Sequence, residues 1–474
     1  MRQRKDYAFL TDIAPIKGIP EAPGSVPFFG HLQVLGLDHP SKFEEWGTEN
    51  NWPIVQARLG RRRVLVLNGF KEAHEWIVKN ASATIDRPLF YTFHTIISKS
   101  QGGTIGTSPW DESSKRRRTA VSAYLTRPAL RASASTLDVE SHALVEDLLK
   151  ATKEDPLGEV DPLVYCQRIA FNITLMICYG TRFSDAHDPD LLTMLNIATT
   201  VARVRTALEK GKYRPCITGM LLSDPESSKL IEADMRSINV SLVSGGFETI
   251  ATTMLAGLGW LASPEGQNVQ QKVYDDLLNT YSDVETAWES VLVEEKSEYT
   301  VALYKEMLRY FAAMQLPPPR QTMKEFQWNG ITIPKGVSVY MNVQAINHDK
   351  SYYGEDADIF KPERWLDEKR PIGPPYHFSF GAGLRACPAI AISHRLLYVS
   401  FSRLLLHFKV LPAADGSLLD AHYIRYNADT TQQTCHPHAY KIRLEPRVPG
   451  KDAADLVEKC FAASRANGEQ MVYN

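Results

Sequence analysis

The ten residues Phe380-Gly381-Ala382-Gly383-Leu384-Arg385-Ala386-Cys387-Pro388-Ala389 constrain this chain more than any other stretch. One cysteine ends a glycine-punctuated loop, and an apolar run, Ile390-Ala391-Ile392-Ser393-His394-Arg395-Leu396-Leu397, follows at once. The run reads as a helix start. That places the sulfur near free backbone N–H groups and the positive end of the helix dipole, both of which favour a thiolate. Gly381 and Gly383 permit the tight, left-handed backbone that wraps a sulfur. A thiolate held this way is a good axial ligand for haem iron, because it pushes electron density toward a bound oxygen. A lone cysteine on such a turn is more often a buried structural residue. The F-x-x-G-x-R-x-C spacing of Phe380, Gly383, Arg385 and Cys387 favours the ligand instead.

The chain has 474 residues, more than one core usually holds, although large enzymes keep one continuous fold. Its 44% apolar and 23% charged content is ordinary for a globular protein, and a net charge of −2 points to no nucleic-acid partner. Cys166, Cys178, Cys216, Cys387, Cys435 and Cys460 are scattered with no C-x-x-C pair, so neither a zinc site nor a disulfide framework is expected. A reducing compartment follows. No run of about 18 apolar residues is present, so no transmembrane helix is expected. Met1 to Lys17 is too polar for a signal peptide.

The proline-rich stretch Ile19 to Pro27 reads as an extended entry segment, and Pro40 to Asn50 as a helix. Residues 54–59 and 63–67, split by Gly60, read as a β-hairpin that opens a small β-rich lobe. Asp86 to Thr107 is mostly loop and carries Phe90, Tyr91, Phe93 and His94. Trp110 and the cations Lys115, Arg116, Arg117 and Arg118 follow; the run is either a solvated helix face or a binding surface for acidic groups. On one helix Trp110 and Arg117 would share a face. Leu137–Thr152 and Pro162–Tyr179 read as helices, and Asp190–Lys210 as one more before a loop holding Pro215, Cys216 and Pro225. Ser228–Leu261 is the longest helical stretch and contains Gly245-Gly246-Phe247-Glu248-Thr249. Each mid-helix glycine costs roughly 1 kcal/mol, which calls for close helix packing or for room beside the helix. Glu306 and Arg309 form an i,i+3 pair, common on any helix. Residues 439–444 read as a strand, with a charged tail, short helical or disordered, beyond Gly450.

In this order the Cys387 loop, Gly245-Gly246-x-Glu248-Thr249, Glu306-x-x-Arg309 and Pro362-Glu363-Arg364-Trp365 resemble the cytochromes P450. The resemblance spans Glu21 to about Arg447. It departs at Ala389, where the family usually has Gly. It implies a mainly α fold with a smaller β-rich lobe: one domain over 19–448, between tails at 1–18 and 449–474. Haem b would be ligated by Cys387, with Phe380, Gly381 and Arg385 around it. Trp110, Arg117 and Arg320 would hold propionates, and Lys115 and Arg116 would dock a flavin reductase carrying electrons from NADPH. Gly245 and Gly246 would leave room for O2, with Glu248 and Thr249 relaying protons. Glu306, Arg309 and Arg364 would form a buried structural cluster. Phe90, Tyr91, Phe93 and His94 would contact substrate. The family usually fits two lid helices between Gly180 and Gly245; here the interval is short, so a shortened lid over a wide, wet pocket is expected.

Arg87-Pro88-Leu89-Phe90-Tyr91-Thr92-Phe93-His94, Gly106 to Glu112 and Lys115 to Arg118 are similar to the fungal phenylacetate hydroxylase group. That implies a monomeric monooxygenase that hydroxylates a small aromatic acid or phenolic metabolite. Oxidative coupling or cyclisation of an aromatic secondary metabolite is the alternative, and a haem-binding protein with impaired catalysis is a third reading. The resemblance implies the cytoplasmic face of the endoplasmic reticulum if an N-terminal anchor has been removed; the chain as given reads as soluble and cytoplasmic.

Overall fold

The computed structural model describes residues 10–97, 103–130, 134–183, 216–223, 230–447, 457–462 and 464–465. Its helical body comprises α1 (His39–Asn50), α2 (Glu112–Tyr124), α3 (Ala134–Glu154), α4 (Leu163–Tyr179), α5 (Ile217–Ser223) and α6 (Glu232–Leu261). It continues with α7 (Pro264–Tyr281), α8 (Val284–Ser290), α9 (Glu298–Tyr310) and α10 (Ile390–His407). Side-chain caps set several starts. Asp38 accepts the Ser41 N–H at 3.1 Å, Asp111 the Ser114 N–H at 2.6 Å, and Ser297 the Thr300 N–H at 3.3 Å.

The β lobe is a four-stranded sheet of β1 (Ile54–Leu59), β2 (Arg62–Leu67), β3 (Arg320–Gln321) and β4 (Ser338–Met341), in the order β1-β2-β4-β3. β1 and β2 form the expected hairpin, turned at Gly60 with φ +60°. β4 runs parallel to β2, and β3 antiparallel to β4. This sheet carries Arg320 toward the Cys387 loop. The main core lies elsewhere, where α3, α4, α6, α7, α9 and α10 bury Leu255, Leu303, Met307, Leu397, Phe401 and Leu404 together. Burial of that apolar area, at about 25 cal/mol per Å², is what holds α6 as one 30-residue helix despite its glycines.

Three segments differ from expectation. Ile217–Ser223 is a helix where a loop was expected, because Ile217 and Leu221 bury against α2 and α6. The C-terminal strand starts at Ile442 rather than at residue 439: Tyr440 turns inward and donates to the Leu255 carbonyl at 2.6 Å. In the tail, residues 457–462 and 464–465 also dock. Phe461 and Ser464 are buried, Phe461 against His142 and Trp288, and Ser464 donating to Asp138. The expected lid helix Asp190–Lys210 lies outside the described residues.

Candidate active site

The Cys387 loop is built as its glycines require. Gly381 and Gly383 have φ +63° and +62°, and a Cβ on Gly383 would lie 2.1 Å from the Ile77 carbonyl oxygen. The Phe380 carbonyl accepts the Cys387 N–H at 2.9 Å, closing the loop. α10 begins at Ile390, and the Ala389 N–H points at Sγ from 3.4 Å. Burial nonetheless pushes the Cys387 thiol up; the Ala389 N–H and the Arg118 guanidinium pull the other way without prevailing. The helix start therefore does not make a thiolate unaided, and a coordinated metal ion would complete the deprotonation. Cys387 lies deep in protein yet is only partly covered. That combination marks the wall of an internal space.

Arg87, Arg118, Arg320 and Arg385 converge beside this loop. Arg118 donates to the Ala386 carbonyl at 2.7 Å, Arg320 to Ala382 at 2.8 Å and Arg385 to Ser108 at 2.7 Å. Arg87 bonds the Pro318 and Pro319 carbonyls, and the Arg385 guanidinium lies 5.5 Å from the Trp110 ring centre. Burial first, then mutual repulsion, lowers Arg87 to about 9, Arg385 to about 10 and Arg320 well below its ordinary value. The Nε atoms of Arg87, Arg320 and Arg385, and Nη1 of Arg385, are buried without a protein partner. A buried cation with unused donors is costly unless an anion answers it. A haem, with two propionates and a thiolate-binding iron, fits these residues.

Arg117 is not part of that cluster, contrary to expectation. It turns back toward α6, bonding the Gly103 carbonyl and Ser237 Oγ and lying 3.5 Å from Asp234. Trp110 precedes the Asp111 cap and lies outside the helix, so no helical face relates it to Arg117. Arg118, about 100° further round α2, is the residue that reaches the Cys387 loop. Arg87 also went unrecognised; its signal was an arginine fixed before Pro88 in an otherwise apolar, aromatic loop. Lys115 is exposed as a docking residue must be, whereas Arg116 is tied to Asp234 at 3.1 Å.

The two glycines of α6 divide the expected roles between them. A Cβ at Gly245 would meet nothing within 4 Å, so this position does face open space. A Cβ at Gly246 would lie 2.5 Å from Thr174 Oγ1 on α4. Gly246 is a packing residue and leaves no room for a ligand. Gly246→Ala is therefore expected to cost about 1–3 kcal/mol as overpacking, and Gly245→Ala nothing or less than nothing. Denaturant melts of the two variants check this, and equal midpoints would contradict it. Glu248 is exposed beside Gly245, and the Thr249 hydroxyl donates to the Gly245 carbonyl at 2.9 Å.

The aromatic segment agrees less well. Tyr91 is 73% exposed and Phe90 39%, so neither is packed as a pocket wall. His94 Nδ1 accepts the Phe90 N–H at 2.9 Å and Nε2 lies 3.2 Å from the Thr107 carbonyl, which makes it a strap across the loop. The Phe93 side chain lies outside the described residues.

Glu306, Arg309 and Arg364 meet as expected. Glu306 accepts from Arg309 at 2.7 and 2.9 Å, from Arg364 at 3.0 Å, from the Trp365 indole at 2.9 Å and from the Lys361 N–H at 2.8 Å. Burial alone would raise the carboxyl; the two guanidiniums outweigh it and hold Glu306 below its ordinary range. Asn347 extends the cluster. It donates to the Arg309 carbonyl at 3.0 Å and accepts the Phe378 N–H at 2.9 Å, two residues before the Cys387 loop.

Comparison with known proteins bears directly on this arrangement. The cytochrome P450 family model matches residues 20–210 and 197–422. The chain is 35% identical to phenylacetate 2-hydroxylase of Emericella nidulans, over 97% of this chain and 95% of that protein. It is 29% identical to 3-hydroxyphenylacetate 6-hydroxylase of the same fungus, over 95% and 92%. It is also 29% identical to the cytochrome P450 monooxygenase CYP3 of Mycosarcoma maydis, over 92% and 88%. Since the match runs through both halves of the site, from Arg87 to the Cys387 loop, the chain belongs to the cytochrome P450 family as a monooxygenase.

Proposed function

We propose that this enzyme hydroxylates the ring of a small aryl acid or phenol, with electrons from NADPH delivered by a flavin reductase. The near-full-length similarity to two fungal phenylacetate hydroxylases carries this reading. Bound haem supplies the activation of O2 at its iron. Cys387 would hold that iron, and Arg87, Arg118, Arg320 and Arg385 would take the propionates. Gly245 keeps the space beside α6 free of side-chain atoms. Thr249 and Glu248, at its edge, would relay protons from water to the reacting oxygen. Lys115 offers a cation to an acidic redox partner, an exposed contact that salt would weaken.

The unit that does this is one domain over 19–448, acting as a monomer at the cytoplasmic face of the endoplasmic reticulum. Among the described residues no helix is long and apolar enough to cross a membrane. The exposed Phe28, Phe29, Leu32 and Leu37 support contact with a membrane surface.

The test is turnover of phenylacetate and 3-hydroxyphenylacetate by the haem-loaded protein with reductase and NADPH. A product one oxygen atom heavier is expected, together with the red-shifted carbon monoxide band of a thiolate-ligated haem. Cys387→His should lose that band. Thr249→Ala should keep consuming NADPH while releasing hydrogen peroxide in place of product. Coupled products of twice the substrate mass less two hydrogens, or no oxygenated product from either acid, would refute ring hydroxylation.

A further inference from the structure

We infer that Asp234 is a positioning residue that apportions the arginines of α2, reserving Arg118 for the haem; this rests on the haem reading above. Asp234 stands in the first turn of α6, with its side chain 4% exposed. It accepts from Ser113 Oγ at 2.7 Å and from Arg116 Nη2 at 3.1 Å, and lies 3.5 Å from Arg117 Nε. Arg116, Arg117 and Arg118 leave α2 at successive steps of about 100°, and the first two bring their charge to the first turn of α6, where Asp234 answers it. Asp234 draws two of them back to α6, and the third alone turns to the Ala386 carbonyl.

The arrangement also holds a loop. Arg117, fixed by Asp234, bonds the Gly103 carbonyl and, at 3.3 Å, Ser108 Oγ. The Ser108 carbonyl in turn accepts Arg385 at 2.7 Å. Ile105 N–H reaches Ser241 Oγ on α6 at 2.9 Å. Residues 103–108 are thus pinned between α6, α2 and the Cys387 loop, and one carboxylate anchors the chain of contacts. That carboxylate also offsets the charge of Arg116 and Arg117 next to four further arginines. Removing it leaves the region more positive, which favours the reduced haem, since reduction adds one electron.

The experiment compares the haem-loaded wild type with Asp234→Asn, Asp234→Glu and the double variant Asp234→Asn/Arg117→Gln. The midpoint potential is read by spectroelectrochemistry and haem retention by transfer to apomyoglobin. Asp234→Asn should raise the potential and speed haem loss. Asp234→Glu should restore both, and the double variant should bring back the potential by removing a cation with the anion. A lower melting temperature with unchanged potential and haem loss would show a merely structural role and overturn the proposal. So would a double variant no nearer wild type than the single one. A wild type without the thiolate carbon monoxide band would instead bring down the haem reading beneath it.

Discussion

Glu306→Gln is expected to yield a protein that holds little haem and unfolds several kcal/mol sooner than wild type. Glu306 is fully buried and answers two buried guanidiniums at once. Removing one partner of such a pair leaves the other charges buried and uncompensated, which typically costs about 3–5 kcal/mol. Against a total of about 5–15 kcal/mol, that is a large fraction of the stability. The damage should reach the haem because Asn347 joins the Arg309 carbonyl to Phe378, and Phe378 leads directly into the Cys387 loop. Haem content from the Soret-to-280 nm ratio and the urea midpoint measure both effects. Wild-type values for both would show that the cluster does not hold the loop. The carboxyl is held below its ordinary range, so its contribution is complete above about pH 4.5 and is lost only as pH falls through the lowered value. The gap between Glu306→Gln and wild type should therefore stay constant from pH 5 to 9.

How much of this was legible in the sequence follows from the range of each signal. The Cys387 loop and the β1–β2 hairpin rest on local spacing and turn chemistry, and they fold as that spacing implies; the Glu306–Arg309–Arg364 cluster was implied by the family resemblance and meets across 58 residues. Arg117 and Arg118 are adjacent, and the choice between them depends on where the helix begins. Asp111 caps α2, so Trp110 sits outside it and cannot set the phase. Gly245 and Gly246 look alike in sequence; only the approach of Thr174 from α4 separates packing from open space. Arg87 belongs to no periodic pattern, and its role appears only when the chain brings it against Pro318 and Pro319, more than 200 residues away. Ile217-Thr218-Gly219 is a poor helix start by propensity, yet burial of Ile217 and Leu221 overrides it. The tail read as charged and either short helical or disordered; residues 457–462 are helical, and their docking depends on Phe461 finding Trp288 and His142.

Mild acid should unfold this protein well before its carboxylates titrate. His377 and His407 are buried and neutral, with burial as the main cause: His377 is lowered to about 3, His407 to about 4. His394, Arg309 and Lys305 add to the effect at His377, and Arg403 at His407. In the unfolded chain both titrate near their ordinary value of about 6.5. As pH falls below that value, the unfolded chain gains protons that the folded chain refuses. Stability is thus fully present above about pH 6.5 and drains away toward pH 4, by up to about 1.4 kcal/mol per pH unit for each histidine. The pair alone withdraws roughly 6 kcal/mol by pH 4, comparable to the whole stability of many domains. Melting temperatures from pH 7.5 to 4.5 should fall steeply, starting near pH 6.5 rather than near pH 4.5. His407→Phe removes one of these protons while keeping a ring between Trp288 and Phe461, so its curve should be shallower by about one proton's worth. A wild-type melting temperature that stays level down to pH 5, or a His407→Phe curve parallel to wild type, would show that these histidines do not set the acid limit.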